Sequence, residues 1–146
     1  MNKPDLAEIY YKAVIYQLDF PHKVDADEMH RIYNGVGAEW MPDAMRNFLD
    51  GISVVLLPAV LIHDIDYEYG NGTLLDFQMA SKRLEENGIK CADAEYAWYH
   101  PMRYVVRRQA KLYRKICDFV GLEAYMSAVE QSQKNKNSAP KEVQNG

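Results

Sequence analysis

Residues 59–67 read Ala-Val-Leu-Ile-His-Asp-Ile-Asp-Tyr and are the part of the sequence best suited to chemistry. On a helix, His63 and Tyr67 are four residues apart and share a face, whereas Asp64 points about 100° away from them. The apolar residues before His63 predict that this turn is buried or half-buried. A half-buried histidine next to a carboxylate suits a general base, or a neutral ligand, near pH 7. The alternative is a core histidine with Asp64 at the surface.

A glycine-rich loop precedes this segment and can contribute a metal site. Two glycines, Gly35 and Gly37, lie close together after Tyr33, which indicates backbone that needs a positive φ or a close approach. Such a loop can turn several carbonyls toward one point, and Asp64 would complete an oxygen cage for Ca²⁺, which takes about six to eight oxygen ligands. Beside that ion His63 would deprotonate a water, and the ion would hold the oxyanion formed from a substrate carbonyl.

This arrangement resembles the phospholipase A2 superfamily, in which a glycine loop is followed by an HDxxY sequence on a long helix. The resemblance implies that the loop carbonyls bind calcium together with Asp64. It also implies that His63 is the catalytic base, that Tyr67 supports it, and that the substrate is a phospholipid. The fold that it implies is mainly α, with a long antiparallel helix pair after the glycine loop.

The chain is similar over a longer range to a family of HDxxY proteins encoded by phages and prophages. That family's pattern also contains an NGxGA loop, a step into proline, a glycine turn and a late helix with spaced Arg, Ala and Tyr. The matching segments of this chain are 34–38, 41–42, 59–67, 70–73, 80–87 and 107–121. The resemblance covers roughly 34–125 and implies other phage proteins as partners.

One position departs from the pattern in a way that affects catalysis. Where the resemblance calls for an acid on the second helix to orient the base, this chain has Ser81. A serine hydroxyl brings no charge to stabilise the imidazolium that forms during catalysis. Asp66, just before Tyr67, is the other supporting candidate. The resemblance therefore implies either a calcium-dependent lipid esterase or a non-catalytic, virion-associated or binding module on the same scaffold.

A third hypothesis is a metal-dependent phosphohydrolase of the HD type. His30, the pair His63-Asp64 and Asp118 can be aligned with the H…HD…D order of metal ligands in those enzymes. However, the glycine loop followed by Trp40-Met41-Pro42 falls where that fold requires continuous helix. This hypothesis is therefore the weakest of the three.

Composition narrows the class of protein further. The chain has 146 residues, of which 48% are apolar and 26% charged, and its net charge of −4 argues against a nucleic-acid partner. The longest apolar run, 54–62, contains Pro58 and is far shorter than the about 20 residues of a spanning helix. We see no signal peptide, and Cys91 and Cys117 are too few for a disulfide scaffold. These observations predict a cytoplasmic location, and the phage resemblance implies that the cytoplasm is that of the host cell, with virion association as the alternative.

Helix start and stop signals divide the chain into helical segments. Ser53 and Thr73 are predicted N-caps, Asp25 begins a short helix, and Gly88 is predicted to end the helix that Thr73 begins. The predicted helices are 5–18, 26–32, 53–69, 74–87 and 102–129, with a start near Ala94 as the alternative for the last one. A strand over 10–16 stays open as an alternative because that segment is rich in β-branched and aromatic residues.

These elements predict one mainly helical domain over 1–130. Its core is the antiparallel pair 53–69 and 74–87, backed by an additional C-terminal helix. The apolar face predicted for that last helix consists of Val105, Leu112, Ile116, Phe119 and Val120. The segment 131–146 has one sizeable aliphatic residue, Val143, so we predict that it is a disordered tail.

Overall fold

The computed structural model of the chain describes residues 5–33 and 51–138, together with Asp43 and Asn47 as single positions between them. In those residues the chain is mainly helical and has no strand, which confirms the mainly α class. The helices are α1 (Leu6–Ile15), α2 (Ala26–Tyr33), α3 (Leu57–Glu68), α4 (Leu74–Glu95) and α5 (Pro101–Ser138), with one 3-10 turn at Val54–Leu56 before α3. The glycine loop predicted at 33–37 lies outside the described residues beyond Tyr33, which ends α2.

Helix α3 is the centre of the fold. Every residue from Pro58 to Glu68 is buried except Asp64. On one side Leu61 and Ile65 pack in a cluster with α1 and α2, and on the other Ala59 packs with α4 and α5. A helix that is buried on nearly all sides is a core helix, so α3 depends on the surrounding helices for its position.

Helices α3 and α4 are antiparallel, as the sequence predicts. The N-terminal end of α3 reaches the later part of α4, where Leu56 approaches Gly88. At the other end the rings of Tyr67 and Phe77 lie 6.3 Å apart. The predicted caps are also present: the Ser53 Oγ accepts a hydrogen bond from the Val55 N–H at 3.3 Å. The Thr73 Oγ1 accepts one from the N–H of Asp76 at 3.1 Å, and the Asp25 carboxylate one from Glu28 at 2.8 Å.

The N-terminal segment is a helix, so the alternative of a strand over 10–16 is wrong. Leu6, Ile9 and Ala13 are buried and recur at helical spacing. This apolar stripe packs against the core, and tertiary burial therefore outweighs the local β-propensity of the segment. The helix ends at Ile15, before the predicted limit of residue 18.

Gly88 does not end α4, contrary to the prediction, because the helix continues to Glu95. The reason lies in packing rather than in backbone conformation. A Cβ atom at position 88 would lie 2.6 Å from the Cβ of Ala110 on α5 and 3.2 Å from a methyl group of Leu56. The absence of a side chain at Gly88 thus allows the second half of α4 and the first third of α5 to approach closely.

The predicted apolar face of the last helix is wrong for Val105, Leu112 and Phe119, which are exposed. The buried face of α5 instead includes Val106, Ala110, Tyr113, Cys117 and Tyr125. Two apolar faces are present in this helix, and periodicity alone does not tell which of them meets the core. Ala110 meets Gly88, and this contact turns the other face to the solvent.

The last helix also extends beyond the predicted domain boundary. Helix α5 continues to Ser138, into the 131–146 segment predicted to be disordered, and residues 139–146 lie outside the described part. Gln and Lys make up half of 131–138 and have good helix propensity, whereas Asn and Ser make up the other half, so this extension continues a helix that is already formed. The single-domain assignment of 1–130 stays a prediction. No helix in the described ranges combines the length and apolar character needed to cross a membrane.

The close contact at Gly88 predicts that Gly88→Ala lowers the stability of the protein, although the same change usually stabilises a helix. In an ordinary helix interior this change adds about 1 kcal/mol of stability. Here the new methyl group would collide with Ala110, so we expect a net loss of about 1–3 kcal/mol in the free energy of unfolding by urea. The double variant Gly88→Ala/Ala110→Gly restores space and should be more stable than the sum of the single changes predicts. A Gly88→Ala protein more stable than wild type would contradict this packing.

Candidate functional site

His63 lies in the middle of α3 and is 1% exposed. Its ring centroid is 4.3 Å from that of Tyr67 and 5.7 Å from that of Tyr113 on α5. The Nε2 atom lies 3.6 Å from the Sγ of Cys117, which is also buried. The imidazole is therefore enclosed by α3 and α5 together with the α4 backbone at Ala80, and the side chains around it are two aromatic rings and a thiol.

Burial lowers the pKa of His63 to about 4 because a charged ring would lose its hydration there. The backbone at Ala80 favours the charged ring, and the positive charge of Arg83 opposes it, but both effects are smaller than burial. The imidazole is thus neutral at pH 7. Its Nδ1 atom makes no hydrogen bond of normal geometry with the described residues.

Tyr67, predicted to support the base, is enclosed by the same helices. Its ring lies 5.3 Å from that of Tyr125, and its hydroxyl is buried without a hydrogen bond of normal geometry in the described chain. A Cβ at Gly121 would lie 3.0 Å from this hydroxyl oxygen. Burial raises the pKa of Tyr67 far above its ordinary range, and it raises the pKa of Cys117 to about 12. Neither group is prepared to ionise near pH 7.

Asp66, the other supporting candidate, is held by an arginine. One of its carboxylate oxygens accepts a hydrogen bond from Arg83 at 2.9 Å, and Arg83 also binds the carboxylate of Asp19 at 2.9 Å. Asp66 is 3% exposed, and burial raises its pKa to about 6 although Arg83 acts in the opposite direction. The structure therefore assigns this acid to a bridge between α3, α4 and the segment after α1.

Asp64, the predicted calcium ligand on α3, is the partly exposed residue beside His63. Its negative charge contributes to raising the pKa of both Tyr67 and Cys117, which places it toward α5. The other predicted ligands are Tyr33, which is the last residue of α2, and Gly35 and Gly37, which lie outside the described residues. The predicted calcium site therefore stays a prediction.

Ser81, which replaces the expected second-helix acid, is fully buried on α4. Its Oγ atom has no hydrogen-bond partner among the described residues. Its chain neighbour Ala80 has its backbone close enough to His63 to affect the ring's pKa. No hydrogen bond joins Ser81 to His63 among the described residues, so the facing of these two side chains across the helix pair stays a prediction.

The residues of the phosphohydrolase hypothesis are not assembled into a cluster. His30 is exposed on α2, and Asp118 is exposed on α5, where it lies 3.6 Å from Arg114. Within the described ranges no group of three or more His, Cys, Asp or Glu side chains is arranged to hold a metal ion. The structure gives this hypothesis no support.

Two polar anchors near the candidate site were not anticipated from the sequence. The Asn87 side chain accepts a hydrogen bond from the N–H of Asp19 at 2.8 Å and donates one to its carbonyl at 2.9 Å. The Tyr125 hydroxyl accepts one from Gly72 at 2.9 Å and donates one to Asp76 at 2.7 Å. The one signal in the sequence was Asn87, at the predicted end of a helix. A helical position offers a buried Asn side chain no backbone partner in its own helix, so it must bind a group elsewhere in the chain.

Comparison with known proteins identifies no relative: no family model, no curated protein and no solved structure matches the chain. The likeness to the phospholipase A2 superfamily and to the phage family therefore rests on the motifs in the sequence.

The buried neutral state of His63 predicts a loss of stability in acid. Its pKa is about 4 in the folded chain against an ordinary value of 6.5, so the unfolded chain binds more protons between these pH values. The free energy of unfolding should therefore fall by about 3 kcal/mol as the pH is lowered from 6.5 to 4. Asp66 offsets part of this loss, because its raised pKa makes the folded chain bind more protons below about pH 6.

The stability difference between wild type and His63→Gln isolates the histidine, since both proteins keep Asp66. We expect this difference, measured by urea unfolding, to shrink from pH 7 to pH 4. Ring proton signals of His63 in NMR spectra should titrate near pH 4. A constant difference, or a ring that titrates near its ordinary value of 6.5, would contradict the burial described above.

Ser81→Asp tests whether the two helices bring Ser81 and His63 together. A carboxylate facing the ring favours its charged form, so the pKa of His63 should rise in an NMR titration. Stability at pH 7 should fall by roughly a few kcal/mol because the new charge is buried. Ser81→Asn is the matched control, with similar size and no charge, and should raise the pKa less. An unchanged pKa in Ser81→Asp means that Ser81 does not face His63.

Proposed function

We propose that this protein is a non-catalytic binding module built on a phospholipase A2-like helix pair, α3 and α4. The observation that carries the proposal is the enclosure of His63, which is 1% exposed and has a pKa lowered to about 4. In this proposal His63, Tyr67 and Ser81 are core residues of the scaffold. The similarity to phage-encoded HDxxY proteins supports other phage proteins as partners, in the host cytoplasm or in the virion.

The chemistry of a general base supports this assignment. A base must come within hydrogen-bond reach of the proton that it removes, directly or through one water, and its pKa is best near the working pH. His63 contacts Tyr67, Tyr113 and Cys117, and its pKa is far below 7. The acid that would stabilise its protonated ring is replaced by Ser81, while Asp66 is committed to Arg83. A reaction that forms an imidazolium is therefore poorly supported.

The surface supports binding as the function. Large apolar side chains are exposed in several places, including Tyr11 on α1 and the pair Trp98 and Tyr99 between α4 and α5. Trp98 and Tyr99 are more than two-thirds exposed and contact each other edge to face, with ring centroids 5.6 Å apart. Exposed aromatic side chains of this kind are enriched where proteins meet their partners.

A calcium-dependent lipid esterase is the second candidate, and one observation favours it. Asp64 is the partly exposed residue of the otherwise buried 58–68 stretch of α3 and adjoins His63 along the chain. A carboxylate at that position can bind Ca²⁺ together with backbone carbonyls of Tyr33, Gly35 and Gly37. A phospholipid would then be the substrate.

An assay on mixed phospholipid vesicles with added calcium separates the two candidates. We expect no calcium-dependent release of fatty acid, and we expect His63→Ala to change the stability of the fold but not the lipid signal. Asp64→Asn should leave calorimetric calcium titrations unchanged, because in this proposal Asp64 does not bind the ion. Calcium-dependent hydrolysis that is abolished in a folded His63→Gln variant would refute the proposal and establish the esterase.

A further inference from the structure

A row of apolar side chains runs along the solvent side of α5. Val105, Leu112, Phe119 and Met126 recur every seven residues, and we call these four the outer seam. They are 45%, 38%, 90% and 42% exposed, respectively. A seven-residue apolar repeat is the spacing at which a helix packs along another helix. The seam therefore has the pattern of a helix-packing surface but has no helix on it in the described chain.

The inner side of α5 is already in use. Ala110 packs against Gly88, and Tyr113 and Cys117 enclose His63. Ala110 and Cys117 lie on the opposite side of the helix from the outer seam, and Tyr113 lies about 100° around the helix from Leu112. An extended exposed apolar strip of this kind marks an interaction site.

The charges along the seam identify the partner. Arg108 and Lys115 precede Phe119, and Glu123 and Glu130 follow it. All four are exposed, and none forms an ion pair with another described residue. The basic residues stand eleven and four positions before Phe119, and the acidic residues stand four and eleven positions after it. The charge pattern is thus antisymmetric about Phe119.

We infer that the outer seam binds the same seam of a second copy of this chain, with the two α5 helices antiparallel and Phe119 at the two-fold axis. This arrangement sets Arg108 opposite the partner's Glu130 and Lys115 opposite the partner's Glu123. Leu112 meets the partner's Met126, because these residues stand seven positions on either side of Phe119. A two-fold interface of this kind is self-complementary, as closed homodimers require.

The antiparallel direction follows from the charges. In a parallel pair Arg108 would face a second Arg108, and Glu130 a second Glu130, so that like charges would repel along the whole seam. The apolar residues supply the contact area, while the charge pairs select the orientation. The 38 residues of α5 extend over about 57 Å, which is ample for the seam. This interface does not depend on the role of His63.

Sedimentation of the full chain at several concentrations tests the homodimer. We expect a concentration-dependent dimer in wild type and a monomer for Phe119→Glu, which sets two carboxylates together at the axis. Because Phe119 is 90% exposed, far-UV circular dichroism of this variant should stay helical. Val14→Glu, at an exposed position on α1 outside the seam, is the matched control and should stay dimeric. A monomeric wild type, or a dimer that persists in Phe119→Glu, would overturn the inference.

Charge exchange tests the antiparallel register. Lys115→Glu and Glu123→Lys alone each create two repulsive contacts per dimer, so the dissociation constant should rise on the order of tenfold in each. The double variant Lys115→Glu/Glu123→Lys should return the dissociation constant to near the wild-type value, because each new charge faces its complement. Failure of the double variant to recover dimerisation would rule out this register and favour a different partner for the seam.

Discussion

The close approach of Gly88 and Ala110 determines how α5 lies on the rest of the molecule. A side chain at position 88 would occupy the space taken by Ala110, so the two helices can meet in this rotation only because Gly88 has none. Tyr113 and Cys117 follow Ala110 on the same face of α5. They consequently reach His63 and cover it. The burial of the histidine and the exposure of the outer seam are two results of the same contact.

The surroundings of His63 illustrate how a fold can change the chemistry of a motif. An HDxxY sequence places a histidine, a carboxylate and a tyrosine within one helical turn and a half, and in an open cleft this set is suited to base catalysis. Here α5 covers the imidazole, and the resulting loss of hydration holds its pKa at about 4. The same side chain thus stabilises a core when it is neutral and would destabilise it when charged.

Polar contacts at the ends of the helix pair hold this core together. Arg83 joins Asp66 on α3 to Asp19 after α1, and Asn87 binds the backbone of Asp19. At the other end Tyr125 binds the Gly72 backbone and Asp76. These contacts satisfy buried or partly buried groups, which would otherwise oppose folding. They connect α1, α4 and α5 around α3, so the central helix is restrained from several directions.

The sequence by itself determined the elements whose signals are local. Ser53, Thr73 and Asp25 are caps because a short polar side chain before a helix satisfies its free N–H groups, whatever lies elsewhere in the chain. The antiparallel pairing of α3 and α4 follows from the short glycine turn between them. The burial of the turn that carries His63 also follows from the apolar residues that precede it.

Only the tertiary structure decided what depends on contacts between distant residues. Gly88 has the local signature of a helix end, yet it lies inside α4 because Ala110 needs the space. Helix α5 carries two apolar stripes, and local periodicity assigned the exposed one to the core. The pKa of His63 depends on Tyr113 and Cys117, some 50 residues away in the chain. Such properties arise from packing across the fold, because neither the rotation of a helix nor the hydration of a side chain is encoded within its own turn.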